Sequence, residues 1–271
     1  ALYCDRNKIS KIDVSKNTDL VLLYCSGNLL TELDLSNNTN LEVLQCESNK
    51  LTTLNISKKK GMSVLYVGGN PIKDFDPSLY PNLKGFGCGN MQLTTLDVSG
   101  MTDLETLACF NNNLKELDLS NNTKLIRLVC YLNDLTELDL SNNTELTWLN
   151  CSKNKLTDID LNHVADNLTN LYIGGNPIKD FDPSIYPNLQ YLECGDMQLT
   201  ALDVSDMADL EYLNCSSNYL TNLNLKNNSK LKALFCNKNN LTSLDLKNNP
   251  ELTNIYCEGN NYNIGENIKT F

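Results

Sequence analysis

The sequence holds a single histidine and a single tryptophan in 271 residues. One imidazole leaves little room for histidine-based acid, base or metal chemistry. No apolar run approaches the roughly 18 residues that would cross a bilayer, so no membrane insertion is expected. Base is scarce beside acid: 22 Lys and Arg stand against 33 Asp and Glu, a formal net charge of -11. A phosphate backbone calls for a basic face, so no nucleic acid is expected as partner. A nucleophile elbow, a phosphate loop and an HExxH helix are all missing. These absences together point away from an enzyme and toward a chain with no cofactor. What remains is a 41% hydrophobic content, sufficient for a folded core, and eleven cysteines, an odd number that cannot pair completely.

The cysteines belong to a repeat. First-leucine positions run Leu20, Leu41, Met62, Leu83, Leu104, Leu125 and Leu146, then Leu168, Leu189, Leu210, Leu231 and Leu252, a spacing of 21 residues with one step of 22. An incomplete unit precedes them at Leu2 and Cys4, so 271 residues make about 13 coils and leave no stretch for another domain. The consensus L-x-x-L-x-C-x-x-N-x-L-x-x-L-D-L-S-x-N matches the leucine-rich repeat signature over its first eleven positions. The x-L-x-C-x stretch alternates with period two, as a strand with one buried face does. L-D-L-S alternates as well, so the opposite edge is expected to be extended rather than helical. The expected fold is a leucine-rich repeat β-solenoid of 1–271. It has a parallel sheet on an inner, concave face and short extended segments on the convex one.

Backbone accounting explains the recurrent asparagine. Asn7, Asn28, Asn49, Asn70, Asn112, Asn133, Asn154, Asn176, Asn218, Asn239 and Asn260 stand where the chain turns out of the strand. An inward amide there can serve the turns above and below. Met91 and Met197 are the two exceptions. They are equivalent, because five coils are duplicated, roughly 31–135 and 136–241. GGNPIKDFDPS occurs at 68–78 and again at 174–184, and TELDLSNNT at 31–39 and 136–144.

Every cysteine occupies one slot of the repeat, which Val67 and Ile173 fill in the two GGNP coils. Such replacements mark the slot as apolar and inward, so a reduced, buried thiol ladder is expected. In-register side chains on parallel strands do not converge on a metal, although sporadic disulfides or metal are the alternatives. The acidity has a similar origin: ten aspartates, from Asp13 to Asp245, share the L-D-L slot. They read as a solvated outer column whose carboxylates, with neighbouring Ser and Asn, tie down turns. A calcium-binding edge is the alternative, with Asp74/Asp76 and Asp180/Asp182 its best location. His163, in the one irregular coil, reads as a surface residue.

The variable inner-sheet positions carry the functional reading. They hold Tyr66, Phe110, Tyr131, Trp148, Tyr172, Tyr191, Tyr212, Phe235 and Tyr256, besides Tyr3, Tyr24 and Arg127. Two groups are expected: Phe110, Arg127, Tyr131 and Trp148, then Tyr172, Tyr191, Tyr212, Phe235 and Tyr256. Amphipathic aromatics and arginine are what binding hot spots use. Cross-strand stabilisation of an exposed sheet would favour the same residues. Between the groups, Gly68, Gly69, Gly85, Gly87 and Gly89, and later Gly174, Gly175 and Gly195, either leave recesses for a ligand or accommodate the Pro71 and Pro177 turns.

The 21-residue unit with Cys at its sixth position and L-D-L-S-x-N behind resembles the cysteine-containing repeats of listerial internalins, over essentially the whole chain. The resemblance implies a curved, right-handed solenoid in a secreted or wall-attached bacterial surface protein. Its concave face would bind a protein or glycan ligand on a host or neighbouring cell, without catalysis and as a monomer; a passive spacer is a further alternative. The sequence opens within a coil, at Ala1-Leu2-Tyr3-Cys4, without the family's helical cap. It is therefore expected to be part of a longer protein.

Overall fold

A computed structural model describes residues 1–56, 61–72 and 75–262, with the backbone of 268–269. It is a parallel-strand leucine-rich repeat β-solenoid in two compact units, Ala1–Asp134 and Leu135–Phe271. In the first unit the inner strands are Leu2–Tyr3, Leu22–Tyr24, Val43–Gln45, Val64–Tyr66, Gly85–Gly87, Thr106–Ala108 and Arg127–Val129. In the second they are Trp148–Asn150, Asn170–Tyr172, Tyr191–Glu193, Tyr212–Asn214, Ala233–Phe235 and Asn254–Tyr256. Within each unit a strand pairs in register with the equivalent residues of the next coil, as in Leu22↔Val43 and Tyr191↔Tyr212. Almost every three-residue strand buries its middle residue and leaves the outer two half-buried. The local x-L-x alternation thus becomes a sheet with one wet face.

The core stacks by slot. Leu23, Leu44, Leu65, Phe86 and Leu107 lie fully buried one above another, beside Cys25, Cys46, Val67, Cys88 and Cys109. Nine of the eleven cysteines are buried, Cys4 and Cys257 are intermediate, and all eleven are free thiols. Burial pushes Cys109 and Cys151 up to about 12. They therefore act as small apolar side chains rather than nucleophiles.

The inner asparagines satisfy the turns. In the first unit Asn49 Nδ2 donates to the carbonyls of Cys25 and Cys46, both at 3.0 Å, while its Oδ1 accepts from Leu30 N at 3.0 Å. Where Met91 and Met197 replace the amide, the next asparagine compensates. Asn112 Oδ1 accepts from both Met91 N and Leu93 N, and Asn218 Oδ1 from Met197 N and Leu199 N. The backbone adjusts too: Gln92 and Gln198 adopt positive φ, 59° and 61°. Among the described residues that conformation is otherwise confined to the residue just before the asparagine slot.

The outer edge is not wholly the solvated column expected from L-D-L-S-x-N. Its aspartates are exposed, and each holds a tight turn: Asp34 Oδ1 accepts from Ser36 N, Asp203 Oδ1 from Ser205 N. The backbone and side-chain hydrogen bonds of these serines keep both carboxyls below the usual range. The asparagine four residues on, however, points inward. Asn38, Asn122, Asn143, Asn228 and Asn249 are completely buried. Asn38 Nδ2 donates to Val14 O at 3.0 Å and Asn17 O at 2.8 Å, and Asn228 Nδ2 to Val204 O and Met207 O. A second amide ladder therefore runs opposite the first, because the outer turn has carbonyls to satisfy just as the inner one does. Tyr80, Met101, Tyr186 and Met207 fill this slot elsewhere.

Short 3-10 turns replace the extended edge at Pro77–Leu79, Asn162–Val164 and Pro183–Ile185. Asp76 and Asp182 cap the two proline turns through Ser78 N and Ser184 N. Asp74 lies outside the described residues, as do 57–60. His163 is exposed in the turn of the irregular coil.

Candidate binding surface

The inner sheet offers three outward columns: the first strand residue, the third, and the residue after the cysteine. In-register stacking sets neighbours in one column about 4.8 Å apart, close enough for rings to lie face to face. In the second unit they form a strip that also crosses from the first column to the third, since Tyr172 lies opposite Asn150 and Phe235 opposite Asn214. Trp148 stacks on Tyr172, with ring centroids 5.7 Å apart. Tyr191, Tyr212, Phe235 and Tyr256 then follow over four successive coils, with separations of 6.1, 5.4 and 4.7 Å. All are half-buried except Tyr256, which is exposed. The stacking assigns Trp148 a partner, Tyr172, from the other group expected from sequence.

In the first unit the rings pair and lean instead. Phe110 stacks on Tyr131 at 4.9 Å, nearly parallel. Tyr66 lies across Gly85 and Gly87, so that a Cβ on Gly87 would strike its ring. Phe110 covers Gly89 in the same way, its ring 2.8 Å from where a Cβ would stand. Arg127 is near enough for its charge to pull the Tyr66 hydroxyl down, against burial and Glu47, which push it up. Gly85 and Gly87 therefore do not leave the sheet bare: they make room for the Tyr66 ring. Gly68 and Gly89 do line a recess, bounded by Glu47 and Phe110. Gly69 and Gly175 serve the backbone, with φ of 68° and 69°.

Glu193 is a residue that a search for aromatics and arginine passes over. Its carboxylate lies above Gly174 and Gly195 in the second unit, where a Cβ on either glycine would crowd it. It accepts from Gly195 N at 3.3 Å and from Ser152 Oγ at 3.3 Å. Burial raises its pKa, and the hydrogen bonds from Gly195, Ser152 and Gly174 oppose the rise only in part. Its charge in turn adds to the burial that raises Tyr212. Asn150 and Asn214 lie in the same column, each holding a serine: Ser152 Oγ donates to Asn150 Oδ1 at 2.9 Å, Ser216 Oγ to Asn214 Oδ1 at 2.7 Å. The signal in the sequence is an acid in a strand position otherwise held by aromatic, amide and small residues. Among the described residues no group of three or more His, Cys, Asp and Glu is placed to hold a metal. No described helix is long and apolar enough to cross a membrane.

No protein-family model matches the sequence, and neither does any curated protein. Solved structures do. The functional domain of InlJ from Listeria monocytogenes, which includes a cysteine ladder, is 35% identical over 94% of this chain, with a TM-score of 0.80. The chain spans 62% of that structure's length. The internalin inlF from Listeria monocytogenes is 28% identical, with 95% of this chain and 80% of that one covered and a TM-score of 0.82. YopM, a leucine-rich effector protein from Yersinia pestis, is 27% identical over 89% of this chain and 66% of its own, with a TM-score of 0.73. The fold agrees with these likenesses and the cysteine column with the ladder of InlJ: the chain is a leucine-rich repeat solenoid like those of the internalins.

Proposed function

We propose that the chain is a non-enzymatic binding module of a secreted or cell-surface bacterial protein, monomeric and acting in adhesion. Its ligand surface is the aromatic inner face: Trp148, Tyr172, Tyr191, Tyr212, Phe235 and Tyr256 in the second unit, and Tyr66, Phe110, Arg127 and Tyr131 in the first. The observation that carries this reading is the four-ring run from Tyr191 to Tyr256, two stacked pairs joined by a tilted Tyr212–Phe235 contact, a ribbon half-buried up to the exposed Tyr256 on an outward face. Rings held by their neighbours lose little freedom when a partner covers them, which suits a hot spot. The likeness to internalins supports the surface location.

A glycan is the second reading. It is favoured by one feature, the Trp148–Tyr172 stack in the same unit as Glu193, Asn150 and Asn214. Flat rings and planar polar groups together suit a sugar ring. Tyr212→Ala and Trp148→Ala are expected to weaken binding to cells or to an arrayed glycan about 30-fold each, with circular dichroism unchanged. Full binding by both folded variants would leave the chain a spacer.

A further inference from the structure

A second site lies in the first unit, apart from the aromatic strip. The column after the cysteine reads Asp5, Ser26, Glu47, Gly68, Gly89, Phe110 from coil to coil. Two successive glycines remove two side chains from it. Glu47 and Phe110, three coils or about 14 Å apart, thus become the walls of a notch whose floor is backbone. The recess measures about 460 Å³. The floor is fixed: a Cβ on Gly68 would come within 2.5 Å of Gly89 O, so only glycine fits there. Phe110 leans over Gly89 and is braced from behind by Tyr131.

The charge on the walls is unanswered. Burial, then the charge of Asp5, raises the pKa of Glu47. Among the described residues neither carboxylate forms a salt bridge, and Glu47 has no hydrogen bond to its carboxylate. Asp5 Oδ1 accepts from Ser26 N, at 2.8 Å. Arg6 also borders the recess, so two acids face one base and the space stays net negative. A half-buried carboxylate without a partner is stabilised by an entering cation. An aromatic wall adds attraction for the same group. The second unit makes the contrast. There Ser152 holds the place of Glu47, and the chain's own Glu193 carboxylate lies over the glycine floor.

We propose that this notch binds an ammonium or guanidinium group, the side chain of a lysine or arginine presented by a partner protein. The cation pairs with Glu47, with Asp5 two coils beyond adding to the negative field, and its methylene stem lies toward Phe110.

Nα-acetyl-lysine amide titrated into the 271-residue chain, followed by proton NMR, tests this. Its terminal methylene protons should shift upfield under the Phe110 ring. The arginine analogue should bind likewise, and the uncharged norleucine analogue should not. Glu47→Gln should weaken the lysine probe about tenfold, the value of a charged hydrogen bond. Phe110→Leu should abolish the upfield shift. Glu116→Gln, an exposed acid elsewhere in the unit, should change neither. Should Glu47→Gln fail to fold, Asp5→Asn and the loss of binding in 0.5 M salt, where the Debye length falls to a few ångströms, give the same reading. Putrescine tested alongside separates a free amine from a side chain: tighter binding of the peptide-like probe supports a protein partner. Equal binding of the norleucine analogue, full affinity in Glu47→Gln, or putrescine as the tighter ligand would overturn the proposal.

Discussion

The two five-coil blocks, 31–135 and 136–241, differ mainly on one side. At the outer edge both carry GGNPIKDFDPS, both cap a proline turn with aspartate, and both bury a tyrosine and then a methionine in place of the edge asparagine. Both replace one inner asparagine with methionine and let the next asparagine accept two N–H groups. On the inner sheet the correspondence lapses. Gly85, Gly87, Thr106 and Val129 in the first block answer to Tyr191, Glu193, Tyr212 and Phe235 in the second. Edge and core residues answer to the coils above and below, so a change there unsettles two neighbours. An outward inner-sheet residue answers mainly to what approaches from outside. The copies therefore present one scaffold with two surfaces, a glycine-floored acidic notch and an aromatic ribbon.

The largest effect should come from what the copies share. Asn112→Ala strands the carbonyl of Cys88 and the amides of Met91 and Leu93, while Cys109 O keeps the Asn133 amide. Three groups at about 1–3 kcal/mol each put the loss at about 3 kcal/mol or more. Asn218→Ala should cost the same, since it serves Cys194, Met197 and Leu199 while Cys215 O keeps the Asn239 amide. Asn49→Ala strands only Leu30 N, because Cys25 O keeps the Asn28 amide and Cys46 O the Asn70 amide, and should cost about 2 kcal/mol less. Urea midpoints of the three variants decide it. Equal losses at Asn49 and Asn112 would mean that the doubled acceptor and the unshared Cys88 carbonyl carry no energy.

A smaller effect should come from what the copies do not share. Glu193 is held with its pKa raised, first by burial. Below the unfolded value, near 4.3, both states are protonated and the group costs nothing. As pH rises through the folded pKa the carboxylate ionises in a half-dry site, and stability falls. Glu193→Gln keeps an acceptor for Gly195 N and a donor for Ser152 Oγ without the charge. Its melting temperature should exceed that of the parent at pH 7 and match it at pH 4. The first block has Gly87 in this position and no titration there. A Glu193→Gln advantage that is flat with pH would remove the electrostatic reading of the second surface.

Much of this was legible in the repeat. A period of 21 gives the coil, the cysteine slot gives a core column, and the inner asparagine follows from counting unpaired peptide groups. The edge asparagine was hidden by composition. L-D-L-S-x-N looks like a polar surface segment, and only the pairing of Asn38 Nδ2 with Val14 and Asn17 carbonyls shows that one of its polar residues points inward. On the inner face the column of each residue was legible, but the direction of its side chain was not. Tyr66 over Gly87, or Glu193 over Gly174, depends on which neighbouring coil leaves space. That is a property of two coils together, and no single repeat unit displays it.

The left-handed slot before the inner asparagine gives the finest test of equivalence between the blocks. It holds Ser48, Gly69, Asn90, Asn111 and Leu132 in the first, and Lys153, Gly175, Asp196, Ser217 and Lys238 in the second, all with positive φ. The geometry is therefore imposed by the coil and not chosen by the residue. Leucine tolerates it poorly, because its Cβ approaches the following carbonyl, whereas asparagine visits the region readily. Leu132 is also 40% exposed at φ 55°, so little packing holds it there. Leu132→Asn, which copies Asn111 one coil earlier, should gain about 1 kcal/mol. The same exchange at Ser217 should gain less, since serine carries a smaller side chain with a local hydrogen-bonding oxygen. Thermal midpoints of the two variants measure the difference. A gain at Ser217 as large as that at Leu132 would locate the cost in the backbone of the coil, common to both blocks, and not in the residue that occupies it.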